Sequence, residues 1–370
     1  MDTITEIKDP DVKYIAEGSF GCVFSSKIQC RDESAKTIKG NTKYVSKVSV
    51  VSKDEMIDKE IQLGKMIVEK IKDYDYYFAP ILNSCPINIG VIEDNEIKRC
   101  EIVSKDEDAS KREYVSSTLK YIGRNSLCDY LDTQTKNEKK QVKAILETHL
   151  HLMKALQKLL DLEDSMIHYD LKDGNIIFDE VYNVPIIIDY GLSFTKSQLL
   201  KTPLSIENLE KVFYVYYEKY SPWNIDIVLL SYITQSIIIN EKVNITHQVL
   251  QPYYKNLISV VDDFVAGSML FDTSEERSTF IDNTKKYLSK YEKKPIRVLI
   301  DELCERWESW DNYSIAVMYY LYLLDNEYLL KNKYINLYRM LLKEIIYSTF
   351  ERERHEPSRT YESIMLLSRL

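Results

Sequence analysis

The sequence predicts an α+β chain in two parts, a small β-rich N-terminal lobe at residues 1–122 and a large, mainly helical C-terminal lobe at residues 123–370. Three observations carry this. Short stretches of β character recur through the first third, at residues 12–15, 22–24, 44–50 and 114–122. One major amphipathic helix interrupts them, at residues 54–71. From residue 139 onward, apolar positions recur at helical spacing, and a helical extension runs from about residue 240 to the end.

Composition narrows the class. The chain is 45% hydrophobic and 29% charged, with only 9 Gly and 9 Pro in 370 residues, which is the make-up of a folded globular protein. A net charge of -9 argues against bulk nucleic-acid binding. The 6 Cys show no metal-type spacing, so free thiols in a reducing compartment are expected. The N-terminal segment is polar and acidic, without a secretory pattern. The apolar run at residues 313–324 is too short to span a bilayer and reads as a buried core helix. A soluble intracellular protein is therefore expected. The 29 Tyr are scattered and point to no chemistry.

In the N-terminal lobe, EGSFGCVFSS at residues 17–26 places Gly18 and Gly21 around a small and an aromatic residue, with Val23 just beyond. Such a turn lets backbone amides approach phosphate oxygens, although most turns of this kind bind nothing. Residues 29–41 read as a polar insertion in a hairpin. Lys47 lies mid-strand in YVSKVSV; a lone strand lysine is usually solvated, but one that contacts phosphate needs a carboxylate to fix it. The helix at 54–71 offers Glu60 as first choice and Glu55 as second, with Ser52 and Glu55 forming a capping box. Further strands are expected at 76–82 and 87–92, and an insertion or long hairpin at 93–112. The strand at 114–122 then relaxes into GRNSLCDYL, as a hinge requires.

The densest chemistry follows a buried helix at residues 139–160, whose His149 and His151 are two apart and so do not face one ligand together. HYDLKDGN holds His168, Asp170, Lys172 and Asn175 at fixed offsets, and IIIDYG ends on Asp189, across a turn near residues 182–185. Asp170 can accept a bond from a hydroxyl and orient it. Lys172 can neutralise a transferring phosphoryl group. Asn175 and Asp189 can turn oxygens to a hydrated divalent cation, and His168 suits holding the loop.

On these residues, over about 12–235, the chain resembles the eukaryotic-type protein kinases, serine/threonine branch. It is also similar to the divergent serine/threonine kinases of large nucleocytoplasmic DNA viruses, which share the Leu-Ser-Phe after the metal Asp, a Tyr-rich stretch and a Trp-x-x-Asp motif, here Trp223 and Asp226. The resemblance implies a two-lobed kinase-like fold that transfers the γ-phosphoryl of ATP to Ser or Thr of protein substrates, with Mg²⁺ or Mn²⁺. Asp170 and Lys172 would be catalytic. Gly18, Gly21, Val23, Lys47, Glu60, Leu119, Tyr121 and Ile122 would bind the nucleotide, and Asn175 and Asp189 the metal. For a viral member, host cytoplasm or virion is the implied location.

Several positions depart from the family. Ala16 stands where the first loop glycine is expected, and no Ala-Pro-Glu follows Asp189. Tyr169 replaces the Arg that would receive an activating phosphate, which implies activity independent of that switch. Thr195, Ser197, Thr202 and Ser205 offer phosphoacceptor hydroxyls. Asp226 stands where the family keeps a buried Asp that ties a helix to the catalytic loop, and Asp311 or Asn312 is expected to cap a later helix. The C-terminal helices offer a surface for a protein partner. Two rivals stay open: a small-molecule phosphotransferase of the aminoglycoside or choline type, and a pseudokinase binding module.

Overall fold

The computed structural model describes residues 11–18, 21–31, 44–51, 56–105, 112–135, 137–200, 205–348 and 354–369. It has an N-terminal β-sheet region with one long helix, followed by a large, mainly helical region. Two compact units divide the chain, one comprising Met1–Gly123 and Ile186–Gly191, the other Arg124–Pro185 and Leu192–Leu370.

The first unit is built on an antiparallel sheet of β1 (Tyr14–Gly18), β2 (Gly21–Phe24), β3 (Tyr44–Val50), β5 (Asn83–Ile87) and β6 (Tyr114–Lys120), in the order β1-β2-β3-β6-β5. Helix α1 (Met56–Lys70) follows β3, and the short β4 (Phe78–Ala79) pairs in parallel with Ile187 and Ile188 of β9 (Val184–Ile188). Period-two alternation divides the sheet. Cys22, Phe24, Val48, Ile87 and Tyr114 pack into a core with Val12, Ile28 and Ile92. On α1, Glu60, Leu63 and Ile67 share the buried stripe, and Ile71 is buried just past its end. Ser52 and Glu55 lie outside the described residues, as do Ser19, Phe20 and most of the expected insertion after residue 29.

Two strand expectations shift. Residues 76–82 hold only the two-residue β4, and the second strand is Asn83–Ile87 rather than 87–92. Pro86 sits in that strand without harm because β5 is an edge of the sheet. Asn88 then starts a 3₁₀ turn, its side chain accepting from the Gly90 amide. The charged stretch from residue 93 forms two short helices, α2 (Asp94–Ile97) and α3 (Glu101–Ser104), instead of a hairpin.

The cysteines correct a second expectation. Cys22 is disulfide-bonded to Cys100 and Cys30 to Cys85, leaving Cys128 and Cys304 as thiols. The partners lie 78 and 55 residues apart, so nothing in local spacing announces them. They meet because β2, β5 and the α2–α3 junction pack around one core.

The second unit surrounds α5 (Glu138–Leu160), which follows α4 (Leu127–Thr133). Ser126 and Asp129 cap α4 reciprocally. β7 (Met166–Ile167) pairs antiparallel with β10 (Phe194–Thr195), and β8 (Ile176–Asp179) leads through a turn to β9. The remaining helices are α6 (Lys196–Leu199), α7 (Ile206–Val212), α8 (Ile225–Tyr232), α9 (Tyr254–Gly267), α10 (Ser274–Ser289), α11 (Ile296–Cys304), α12 (Trp310–Asp325), α13 (Lys333–Ile346) and α14 (Pro357–Arg369). α8 continues as a π-helical stretch over Ile233–Ile239. Both α12 and α14 pack on α5. α12 is buried along nearly its whole length, the core helix expected of its apolar run. No helix among the described residues is long and apolar enough to cross a membrane.

His149 on α5 is fully buried, its Nδ1 2.5 Å from the Tyr338 hydroxyl and its ring stacked on Tyr319. It is a core histidine, and His151 is buried as well.

Two measurements check these features. Alkylation of the denatured chain without reductant should label Cys128 and Cys304 alone, and all 6 cysteines after reduction. Burial pushes the His149 pKa from 6.5 down to about 3, so the folded state resists the proton that the unfolded chain takes up. That stabilisation is complete above pH 6.5 and is lost as pH falls toward 3. The slope approaches about 1.4 kcal/mol per pH unit. Urea titrations at pH 7, 5.5 and 4.5 should therefore show a shallower loss in His149→Gln than in the native chain.

Candidate active site

Strand register places Lys47 and its neighbours within the first unit. Val23 lies opposite Lys47 across β2 and β3, and Leu119 lies opposite Val45, two residues before Lys47. Val23, Lys47 and Leu119 therefore occupy the same face of the sheet. The Lys47 ammonium reaches both Glu60 oxygens, at 3.2 and 3.3 Å, and Asp189 Oδ1 at 2.8 Å. Burial alone would lower the lysine pKa, but the two carboxylates outweigh it and the net direction is upward. Glu60 is pushed up by burial, with Lys47 opposing. One cation between two carboxylates leaves a formal charge of −1, which suits a further positive ion.

Asp189 carries this set at the start of Asp-Tyr-Gly, with a left-handed φ of 64°. Tyr190, next in sequence, is buried and donates its hydroxyl to the Ile187 carbonyl. Tyr121 and Ile122 follow β6 and are half-buried.

Gly18 and Gly21 face each other across the β1–β2 connection. Neither has a positive φ. A Cβ on Gly21 would lie 2.5 Å from the Val48 carbonyl oxygen, so this glycine is required by the approach of β3. On Gly18 it would meet nothing closer than 3.8 Å.

The second unit holds the Asp170, Lys172 and Asn175 cluster. Lys172 Nζ lies 2.8 Å from Asp170 Oδ2, and Asn175 Nδ2 donates to the same oxygen at 3.1 Å and to the Asp170 carbonyl at 2.8 Å. Asn175 therefore spends its amide nitrogen on Asp170, and only its Oδ1 could serve as a ligand atom. Asp173 accepts from the Cys128 amide and pins the loop to α4. His168 is fully buried and its carbonyl accepts from Ser193 Oγ, consistent with holding the loop.

Tyr169 shows how the loop works without an arginine. Its φ is 71°, a strained value for a bulky residue. The ring is buried beside Phe194, Phe213, Trp223 and Trp310. Trp223 Nε1 donates to its carbonyl at 3.0 Å. Asp311 takes the amides of His168 and Tyr169 on separate carboxylate oxygens, at 2.6 and 2.8 Å.

This corrects two expectations. Asp226 is buried, but it holds Arg354 in a bidentate pair at 2.8 and 2.9 Å. Asp311 ties the loop instead. Asp311 also lies inside α12 and does not cap it, while Asn312 donates to the His355 carbonyl and Thr360 Oγ1. The signal that could have found Asp311 is an acid one residue into an otherwise apolar helix. Of the expected acceptor hydroxyls, Thr195 is buried, Ser197 donates to Asp164 and Ser205 caps α7. Thr202 lies outside the described residues.

Hard oxygen donors of the kind a divalent cation takes stand in each unit, Asp189 in the first, beside an excess negative charge, and Asn175 in the second. One other grouping among the described residues has ligand spacing, Glu17 with Cys22 and Cys100. Those sulfurs are bonded to each other, and Glu17 accepts the Glu101 and Ile102 amides. It is a structural clasp. No protein-family model matches the chain, and no curated protein matches its sequence.

Removing Asp311 tests the support of the loop. Asp311→Ala strands two buried amides at about 1–3 kcal/mol each. Urea unfolding should show a loss of about 2–6 kcal/mol, with His168 and Tyr169 amides exchanging faster.

Proposed function

We propose that this protein transfers the γ-phosphoryl group of ATP to Ser or Thr hydroxyls of protein substrates, on a two-lobed kinase-like fold. The observation that carries the reading is the Lys47 ammonium held by Glu60 and Asp189, residues 13 and 142 positions away, of which the sequence selects Glu60 as its partner. The Asp170–Lys172–Asn175 cluster supports it independently.

In this reading Lys47 contacts the phosphates of ATP, and Val23 and Leu119 offer apolar surface to its base. Asn175 and Asp189 would hold Mg²⁺, which when bound neutralises phosphate charge. Asp170 accepts the proton of the attacking hydroxyl, and Lys172 offsets charge on the transferring group. The acceptor oxygen–phosphorus bond forms as the bond to the ADP oxygen breaks, and the proton passes through Asp170 to solvent. Retention of Lys47, Asp170 and Asp189 favours catalysis over a binding-only role.

Labelled ATP with Mg²⁺ and a panel of acceptors tests this. Asp170→Asn and Asp189→Asn should each lower transfer by about 10²-fold or more. Transfer that persists in both variants would overturn the proposal. Transfer to a sugar or amino alcohol, and to no protein, would select the small-molecule phosphotransferase.

A further inference from the structure

Both carboxylate oxygens of Asp170 are already engaged. Oδ2 accepts from Lys172 and Asn175, at 2.8 and 3.1 Å. Oδ1 accepts from the Tyr220 phenol at 2.6 Å. The Tyr220 ring stands edge-on to Trp223, centroids 5.1 Å apart, and the Lys172 ammonium lies 5.9 Å from its centre. If Asp170 receives the acceptor proton, the phenol sits where an acceptor hydroxyl must bond.

The backbone around Tyr220 suits movement between fixed ends. Phe213 is fully buried and its carbonyl accepts from Gln235. At the other end the Pro222 carbonyl accepts from Ser314, and Trp223 is buried and bonded to Tyr169. Between them, residues 214–221 form neither helix nor strand, and Val215 and Tyr217 are exposed. The Tyr220 amide bond to the Tyr217 carbonyl is long, at 3.3 Å. Burial, followed by the charge of Asp170, raises the phenol pKa, so the hydroxyl remains a proton donor near neutral pH.

We infer that Tyr220 gates the acceptor side of the site: its hydroxyl occupies Asp170 Oδ1, and transfer to any other acceptor begins with its withdrawal. The inference rests on the phosphotransferase reading and adds to it how acceptors gain entry. Occupancy by a tethered phenol disfavours small, weakly held acceptors, water among them. It admits acceptors whose other contacts displace the segment at residues 214–221.

The test compares the native chain with Tyr220→Phe, which keeps the ring on Trp223 and removes only the hydroxyl. Two probes are used with Mg-ATP, water (ADP release without acceptor) and dephosphorylated casein. A charge-assisted hydrogen bond is lost, so both ADP release and kcat/KM for casein should rise about tenfold, with KM for ATP unchanged. A gain of activity cannot arise from damage to the fold. Rates equal to or below native in Tyr220→Phe, with an unchanged melting temperature, would overturn the gate and leave phosphoryl transfer standing. Label recovered on Tyr220 itself, with the Phe variant no faster, would also overturn it, making the phenol a substrate. Absence of ADP release and of casein labelling in both proteins would remove the phosphotransferase reading and the gate together.

Discussion

The loop at residues 168–175 depends on one carboxylate. Asp311 projects from the first turn of a buried helix and takes two consecutive amides, those of His168 and Tyr169. Consecutive amides converge on one group only when the backbone is sharply turned, which is what the left-handed Tyr169 provides. Burial pushes the Asp311 carboxyl upward, while His168 and the two amides oppose that shift. Acid, amides and aromatic rings therefore hold each other in place. From this fixed point Asp170, Lys172 and Asn175 take their positions within seven residues of His168.

The first unit uses a different device. Its site lysine is placed by the pairing of β2, β3 and β6, so it shares a face with Val23 and Leu119 while the opposite face builds the core. A one-residue slip would exchange the two faces. At Gly21 the approach of β3 leaves no room for a side chain. Register, a long-range property, thus decides whether Lys47 meets Glu60.

Much of the candidate site was legible because it is written in short runs. HYDLKDGN and IIIDYG each contain their own spacing, and the helical period was enough to select Glu60. The long helices from α5 onward were legible for the same reason. What was not legible depends on residues far apart in sequence. Asp311 lies 143 positions from His168, and Tyr220 lies 50 from Asp170. Asp226 was the plausible choice for the loop tie by its position, but burial beside Arg354 gives it a different partner. The disulfides fall in the same class, as does the second strand, where Pro86 was compatible with an edge position that sequence alone did not reveal.

The cluster around Tyr169 has a further consequence. A loop held by an arginine on a phosphate is held by charge, and charge at a surface weakens as salt rises. Here the corresponding position is held by packed rings, a tryptophan N–H and a buried carboxylate. Contacts of that kind are shielded from dissolved ions. The backbone at Tyr169 is accordingly held by contacts that dissolved ions do not weaken, whereas the half-exposed Lys172–Asp170 pair of the same loop is open to screening.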